Sequence, residues 1–134
     1  MVRAQPYGWR GSSGDLYDYE VLPLGTRIHD TLGNYIFARR NECGRWDAIY
    51  VGQGRLTGDL STHFLGKEIR DKAATHIHFR ENPVESARLI EMADIMEGNP
   101  ETYAPEGCNP PPVGAAAPES GSVDLASMAM WRLR

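Results

Sequence analysis

Residues 33–54 read GNYIFARRNECGRWDAIYVGQG, and the predicted fold is built around this segment. Two apolar runs, predicted as strands over 34–40 and 45–51, are separated at 41–44 by a polar turn that contains a glycine. Two such runs joined by such a turn are typical of a β-hairpin. Tyr35 and Tyr50 then share one face of the hairpin only in the correct register, because a slip of one residue turns a side chain to the opposite face.

The segment before this hairpin predicts an extended chain that lies against the sheet, and the segment after it predicts a helix. Residues 16–26 contain Pro23, which has no N–H for a ladder, so they are predicted to form an edge strand or an extended cover. A helix is predicted from Thr57 or Asp59, either of which is a suitable N-cap, to Lys72.

The second half of the chain predicts one further strand and one further helix. Residues 75–80 alternate between polar and apolar and predict a third strand. Residues 82–98 predict a helix with Asn82 as its cap and Pro83 at its first position. The element order therefore predicts an α/β (α+β) sandwich, with a central, mainly antiparallel three-stranded sheet flanked by helices.

Length and composition predict one soluble domain with two appendages. The 134 residues suffice for one core, the net charge is −4, and the two cysteines fit no metal-binding spacing. We divide the chain into an N-terminal extension (1–32), a central domain (33–109), and a Pro/Ala/Gly-rich linker with a short C-terminal helix (110–134). No apolar run approaches the ~18 residues of a membrane span, so a cytoplasmic protein without a membrane partner is expected.

Five short motifs, in order along residues 33–109, resemble the GIY-YIG nuclease superfamily. Two are the tripeptides 33–35, in which asparagine replaces the usual isoleucine, and 50–52, a common variant. The other three are single side chains at expected positions: His63, Glu91 and Asn109.

The resemblance implies a metal-dependent DNA endonuclease that hydrolyses phosphodiesters. A single Mg²⁺ or Mn²⁺ would be held by Glu91, in keeping with the preference of hard cations for oxygen ligands, and Tyr35 would lie near the attacking water. A tyrosine with an ordinary pKa near ~10 is a weak base at neutral pH, so His63 or Tyr50 would have to lower that pKa. The full set that the resemblance implies is Tyr35, Tyr50, His63, Arg55 and Asn109 for catalysis, Glu91 for the metal, and Gly52, Gln53, Gly54 and Arg70 for the substrate.

Asp59 is the main departure from the family pattern. The family carries an arginine at this helix position, where its charge would stabilise the transferring phosphoryl group, whereas a carboxylate would repel the phosphate. Arg55 is the nearest substitute, and Arg70 and Arg88 are more distant ones. The alternative function is therefore a catalytically impaired nucleic-acid-binding or protein-interaction module. A regulatory subunit whose partner supplies the arginine is a third.

Several of these residues also have ordinary structural explanations. Tyrosines are common in strands whatever their function, and Asn109 suits either a loop-closing or a catalytic role. His76 and His78 lie on one side of a predicted strand, where a half-buried packing role competes with a metal site. The N-terminal arm and the C-terminal tail are both candidate contacts for a homodimer.

Overall fold

The computed structural model describes residues 5–59 and 66–111, and these form one five-stranded sheet with a helix on each face. In chain order the elements are β1 (Gln5–Arg10), β2 (Leu16–Pro23), β3 (Arg27–Arg40), β4 (Trp46–Asp59), α1 (Gly66–Asp71), β5 (His76–Glu81), α2 (Glu85–Gly98) and a 3₁₀ turn (Pro100–Thr102). The predicted linker and C-terminal helix at 112–134, as well as His63, lie outside the described residues. Neither described helix is long and apolar enough to cross a membrane.

The strands lie in the order β1-β2-β5-β3-β4, and every neighbouring pair is antiparallel. The predicted α+β class and the antiparallel character of the sheet are confirmed, but the sheet has five strands rather than three. The additional strands are β1 and β2, from the predicted N-terminal extension, and the predicted boundary at residue 33 falls inside β3. The first 32 residues thus contribute to the sheet instead of standing apart from it.

Strand β2 lies inside the sheet, between β1 and β5, and not at its edge. Pro23 is compatible with this position because it is the last residue of the strand, paired with His76 at the start of β5. The next residue, Leu24, has the N–H that proline lacks and donates it to the carbonyl of Thr75 (3.1 Å). A proline at the end of a strand interrupts no interior ladder bond.

The two faces of the sheet carry separate apolar cores because side chains alternate along each strand. We call them the α2 face and the α1 face, after the helix packed on each. The α2 face contains Trp9, Tyr19, Ile36, Ala38, Trp46, Ala48, Val51, Met92, Ile95 and Met96. The α1 face contains Ile28, Tyr35, Phe37, Tyr50, Leu56, Ile69 and Ile77, with Leu22, Leu24 and Phe79 packed against them.

The central hairpin is about twice as long as its sequence predicts, since β3 and β4 each have 14 residues. The prediction of a helix from Thr57 or Asp59 is therefore wrong over residues 57–59, which belong to β4. Cross-strand pairing overrides the capping signal here: Leu56 pairs with Thr31 and is buried, and Gly58 pairs with Ile28. Among the described residues, the helix that follows, α1, spans Gly66–Asp71.

Helix α2 agrees with its prediction in position, but its start differs. Val84 is the N-cap residue, and no side chain caps the helix. The side chain of Asn82 instead points its amide nitrogen towards Asn34 and Glu91, at 3.4 and 3.3 Å. A residue that the sequence predicts as a helix cap is thus used in a buried polar network.

Candidate functional site

Tyr35 and Tyr50 lie together on the α1 face. Tyr35 pairs with Gly52, and Phe37 pairs with Tyr50, so this register places both phenol rings on one side of the hairpin. Their ring centroids are 6.2 Å apart with an interplanar angle of 38°. Both side chains are buried.

Gly52 makes room for the ring of Tyr35. A Cβ atom on Gly52 would lie 2.5 Å from Cζ and 2.6 Å from the phenol oxygen of Tyr35, closer than non-bonded atoms approach. Gly54, two residues further along, has a φ of 136°, a backbone conformation that residues other than glycine rarely adopt. Both glycines of 52–54 thus have structural reasons for their identity, and Gly52 is matched to the tyrosine of the first tripeptide.

Glu91 lies on the opposite side of the sheet, on the inner surface of α2. Its Oε2 accepts a hydrogen bond of 2.5 Å from the phenol of Tyr19. Its Oε1 accepts from Nε of Arg80 (3.2 Å) and from the amide of Asn82 (3.3 Å). Burial, and then the charge and hydrogen bond of Glu91, raise the pKa of Tyr19 well above its usual value, so this phenol keeps its proton and donates.

The carboxylate belongs to a buried polar row that crosses the sheet beneath α2. Gln53, Asn34 and Arg80 are cross-strand neighbours on β4, β3 and β5. From α2, Nε of Arg88 donates to Gln53 (2.9 Å), and the carbonyl of Arg88 accepts from Asn34 (3.0 Å). Buried polar groups cost free energy unless they are hydrogen-bonded. The side chains of this row avoid that cost because they form hydrogen bonds with one another and with the backbone of α2.

The predicted convergence of Tyr35, Tyr50 and Glu91 on one cleft does not occur, because the sheet separates the two phenols from the carboxylate. Three hydrogen-bond donors surround the Glu91 carboxylate, and one of them is the guanidinium of Arg80. These donors suit the carboxylate anion, but a divalent cation needs oxygen ligands, so the site does not fit such a cation. Within residues 5–59 and 66–111, no three histidine, cysteine or acidic side chains are arranged to hold a metal. Gln53, predicted to bind substrate, also lies on the α2 face.

Two of the arginines predicted to neutralise the phosphate, Arg55 and Arg70, have exposed side chains. Arg55 is exposed, and its Nη1 is 2.6 Å from both carboxylate oxygens of Asp30. Arg70 lies on the exposed side of the short helix α1.

Asn109 closes the edge of the sheet with its side chain. Its Oδ1 accepts from the N–H of Val51 (2.8 Å), and its Nδ2 donates to the carbonyl of Val51 (3.0 Å). Thr102 donates a further hydrogen bond to Oδ1. The side chain is fully buried and pairs with edge strand β4 as a neighbouring strand would. This geometry favours the loop-closing alternative over the catalytic one.

His78 belongs to an aromatic cluster on the α2 face. Its Nδ1 accepts from the indole N–H of Trp9 (2.8 Å), which places its own proton on Nε2. Nε2 has no hydrogen-bond partner in the parts of the chain that the structure describes. The ring of Trp46 is nearby, with centroids 4.6 Å apart at 82°, a geometry suited to a weak N–H···π contact. Burial, with the nearby His76 and Arg40, lowers the pKa of His78 to about 3. These contacts favour packing over the metal site as the role of this histidine.

Sequence analysis did not identify the partners of Glu91, chiefly Tyr19 and Arg80. A signal for Tyr19 exists in the alternation of Tyr17, Tyr19 and Val21 with acidic and apolar residues, which is typical of a strand. Because Pro23 at the end of this run favoured an edge strand or an extended cover, the sequence did not predict an interior strand that carries Tyr19.

Comparison with protein-family models, with curated proteins and with solved structures gave no match.

Proposed function

We propose that this chain is a nucleic-acid-binding module that keeps residues of the GIY-YIG pattern as structural elements and does not cleave phosphodiesters. The observation that carries the proposal is the position of Glu91, whose carboxylate is held by Tyr19, Arg80 and Asn82 on the face opposite the two tyrosines. The acidic residue at position 59 supports it independently, since it stands where the family has an arginine.

The surface that best suits a phosphate backbone is the turn of the β3–β4 hairpin, which we call the hairpin turn (residues 39–46). Arg39, Arg40 and Arg45 are all exposed there, and Arg39 is also paired with Asp47 (3.0 Å). The guanidinium of Arg40 lies 4.6 Å from the ring centroid of Trp46, which orders a flat cationic surface of the kind on which bases stack. A local basic surface can bind a polyanion even where the net charge is negative.

A gel-shift assay with short DNA and RNA at ~50 mM salt or below, where phosphate contacts are strongest, tests the binding proposal. We expect retarded complexes, and at least a tenfold loss of affinity in Arg39→Gln/Arg40→Gln/Arg45→Gln. The plot of log affinity against log salt should become less steep by roughly 3. Arg27→Gln, an exposed arginine elsewhere, is the control. Failure to bind any probe at low salt would refute nucleic-acid binding and leave a protein-interaction role.

The second candidate function is the metal-dependent DNA endonuclease with Mg²⁺ or Mn²⁺. The paired phenols of Tyr35 and Tyr50, matched by Gly52, are the observation that favours it. Supercoiled plasmid incubated with the protein and either cation distinguishes the two functions. The binding module predicts intact plasmid with the wild type and with Tyr35→Phe alike. Cleavage by the wild type that Tyr35→Phe abolishes would establish the endonuclease.

A further inference from the structure

One pocket lies on the α1 face, away from the hairpin turn and from the polar row. Beyond Gly33 and Gly54, residues 27–32 of β3 pair with residues 55–59 of β4, and we call this part of the hairpin the arm. At its base, the carbonyl of Leu32 accepts a hydrogen bond from the N–H of Asn82 (2.8 Å). Between the arm and the strands β2 and β5 is a shallow pocket of about 430 Å³, which we call the arm pocket. Its volume is within the range of small-molecule sites.

The floor of the arm pocket is apolar and partly aromatic. It is formed by Phe79 of β5, Leu22 of β2 and Ile28 of the arm. These three side chains belong to the apolar cluster of the α1 face, which fixes their positions. A flat ring such as that of Phe79 offers its π-face to an apolar body or to a cation.

Two carboxylates border this floor. Glu20 is the cross-strand partner of Phe79, and Glu81 is two residues beyond Phe79 on the same side of β5. Diagonal neighbours of this kind have backbones about 7–8 Å apart, so both carboxylates can reach one small cation. Both residues are exposed, and neither forms an ion pair within the described part of the chain. Oε2 of Glu81 accepts one hydrogen bond, from the hydroxyl of Thr31 (3.2 Å).

The remaining charges around the pocket do not cancel these two. Asp30 is neutralised by Arg55. Arg27 also lines the pocket, but on the arm side, where its Nη2 is 3.6 Å from the position of a Cβ on Gly58 of β4. The pocket therefore combines an apolar floor with an excess of negative charge on its β2–β5 side.

We propose that the arm pocket binds a small organic cation with an apolar body, of the aryl-alkyl ammonium class. The apolar body lies on Phe79, Leu22 and Ile28, and the ammonium group lies between Glu20 and Glu81. Charge complementarity selects this class over neutral or anionic ligands of the same shape. The site is independent of the proposed nucleic-acid surface, which lies at the opposite end of the β3–β4 hairpin.

The test is a titration of the ¹⁵N-labelled full chain with three matched probes: phenethylammonium, phenethyl alcohol and 3-phenylpropionate. We expect phenethylammonium to produce saturable amide shifts confined to residues 20–22, 26–31 and 79–81. The neutral probe should bind at least tenfold more weakly, and the anion should cause no saturable shift. Raising the salt concentration should weaken the cation's binding, because exposed charges are screened.

Glu20→Gln/Glu81→Gln should weaken phenethylammonium binding at least fivefold while leaving the amide spectrum dispersed. Glu42→Gln/Glu106→Gln, which removes two exposed carboxylates elsewhere, should leave the binding unchanged. Equal affinity for the neutral probe, shifts spread over the acidic surface, no saturable shift at all, or an unaltered affinity in Glu20→Gln/Glu81→Gln would each overturn the proposal.

Discussion

At the scale of single residues, Gly52 connects a sequence motif to a packing requirement. Its Cβ would overlap the ring of Tyr35, so we expect Gly52→Ala to lower the free energy of unfolding by about 1–3 kcal/mol, the usual cost of overpacking a core. Urea denaturation of Gly52→Ala, Tyr35→Leu and the double variant measures this. The cost of the alanine should be smaller in the Tyr35→Leu background, where the ring is gone. Strictly additive costs would show that the ring is not the obstacle.

His78 makes the stability of the fold depend on pH. Its pKa in the folded protein, about 3 because of burial, lies below the ordinary value of 6.5, so the unfolded chain binds a proton more readily. The free energy of unfolding is therefore unaffected by His78 above pH 6.5 and decreases as the pH falls towards 3. At pH 4 the decrease amounts to roughly 3 kcal/mol.

Urea denaturation between pH 4 and 7 tests this dependence. His78→Gln, whose side-chain carbonyl can still accept from Trp9, should lose most of the slope. His29→Gln, which changes an exposed histidine, should keep it. Parallel slopes in the wild type and in His78→Gln would contradict the assignment.

Local sequence predicts the tyrosine pair of the hairpin but not the distant partners of the buried polar side chains. The tyrosine pair and its glycine lie within 18 residues and on one hairpin, so pattern and register together are sufficient to place them. The partners of the buried polar groups are distant: Trp9 and His78 are 69 positions apart, and Tyr19 and Glu91 are 72 apart. No local pattern specifies such pairs, because the sheet order that brings them together is decided by the whole chain.

At the scale of elements, the β1–β2 loop is attached to α2 mainly through the carboxylate of Asp94. Ser12 adds hydrogen bonds to the carboxylate of Glu97 and to the backbone carbonyl of Asp94. Asp94 accepts from the N–H and hydroxyl of Ser13 (2.8 and 2.6 Å), the hydroxyl of Ser12 (3.1 Å) and the phenol of Tyr17 (2.8 Å). The donors at Ser13 hold the pKa of Asp94 down to about 2. Its contribution to stability is therefore complete above the ordinary pKa of 3.8 and is lost as the pH falls towards 2.

We expect Asp94→Asn to destabilise the protein by about 1–3 kcal/mol at pH 7, because hydrogen bonds to a charged acceptor become weaker or unmatched. Amide hydrogen exchange should accelerate most at residues 12–17. Asp71→Asn, which removes only the exposed pair with Lys67, should cost less than ~1 kcal/mol. Equal losses in the two variants would show that the loop is held by other contacts.

Strand pairing also explains why the first helix was predicted to begin at residues that belong to β4. Thr57 and Asp59 are good helix caps in isolation, yet they extend β4 because Leu56 is buried on the α1 face opposite Thr31. The strand partners at 27–31 lie about 30 positions upstream, in a stretch with no clear strand pattern of its own. By contrast α2, with a long apolar periodicity and a Gly-Asn-Pro stop, was predicted nearly to its last residue.

At the scale of the whole molecule, residues 5–32 are integral to the sheet and to both of its buried polar clusters. They supply β1, β2 and the beginning of β3, and they cover both the Glu91 carboxylate, through Tyr19, and the ring of His78, through Trp9. A chain of residues 33–109 alone would leave β5 as an open edge, Glu91 without the hydrogen bond from Tyr19, and His78 without the hydrogen bond from Trp9.

We therefore expect the 33–109 chain to lack a cooperative unfolding transition and to show no near-ultraviolet circular dichroism. A synthetic peptide of residues 5–24, added in trans, should restore part of that signal, because it carries both strands of the missing hairpin. The same peptide with Tyr19→Ala and Trp9→Ala is the matched control and should restore less, since it cannot satisfy Glu91 or His78. If the 33–109 chain unfolds cooperatively without the peptide, with a midpoint near that of the full chain, then the predicted boundary at residue 33 is a true domain boundary, and β1 and β2 are an accessory to a three-stranded core.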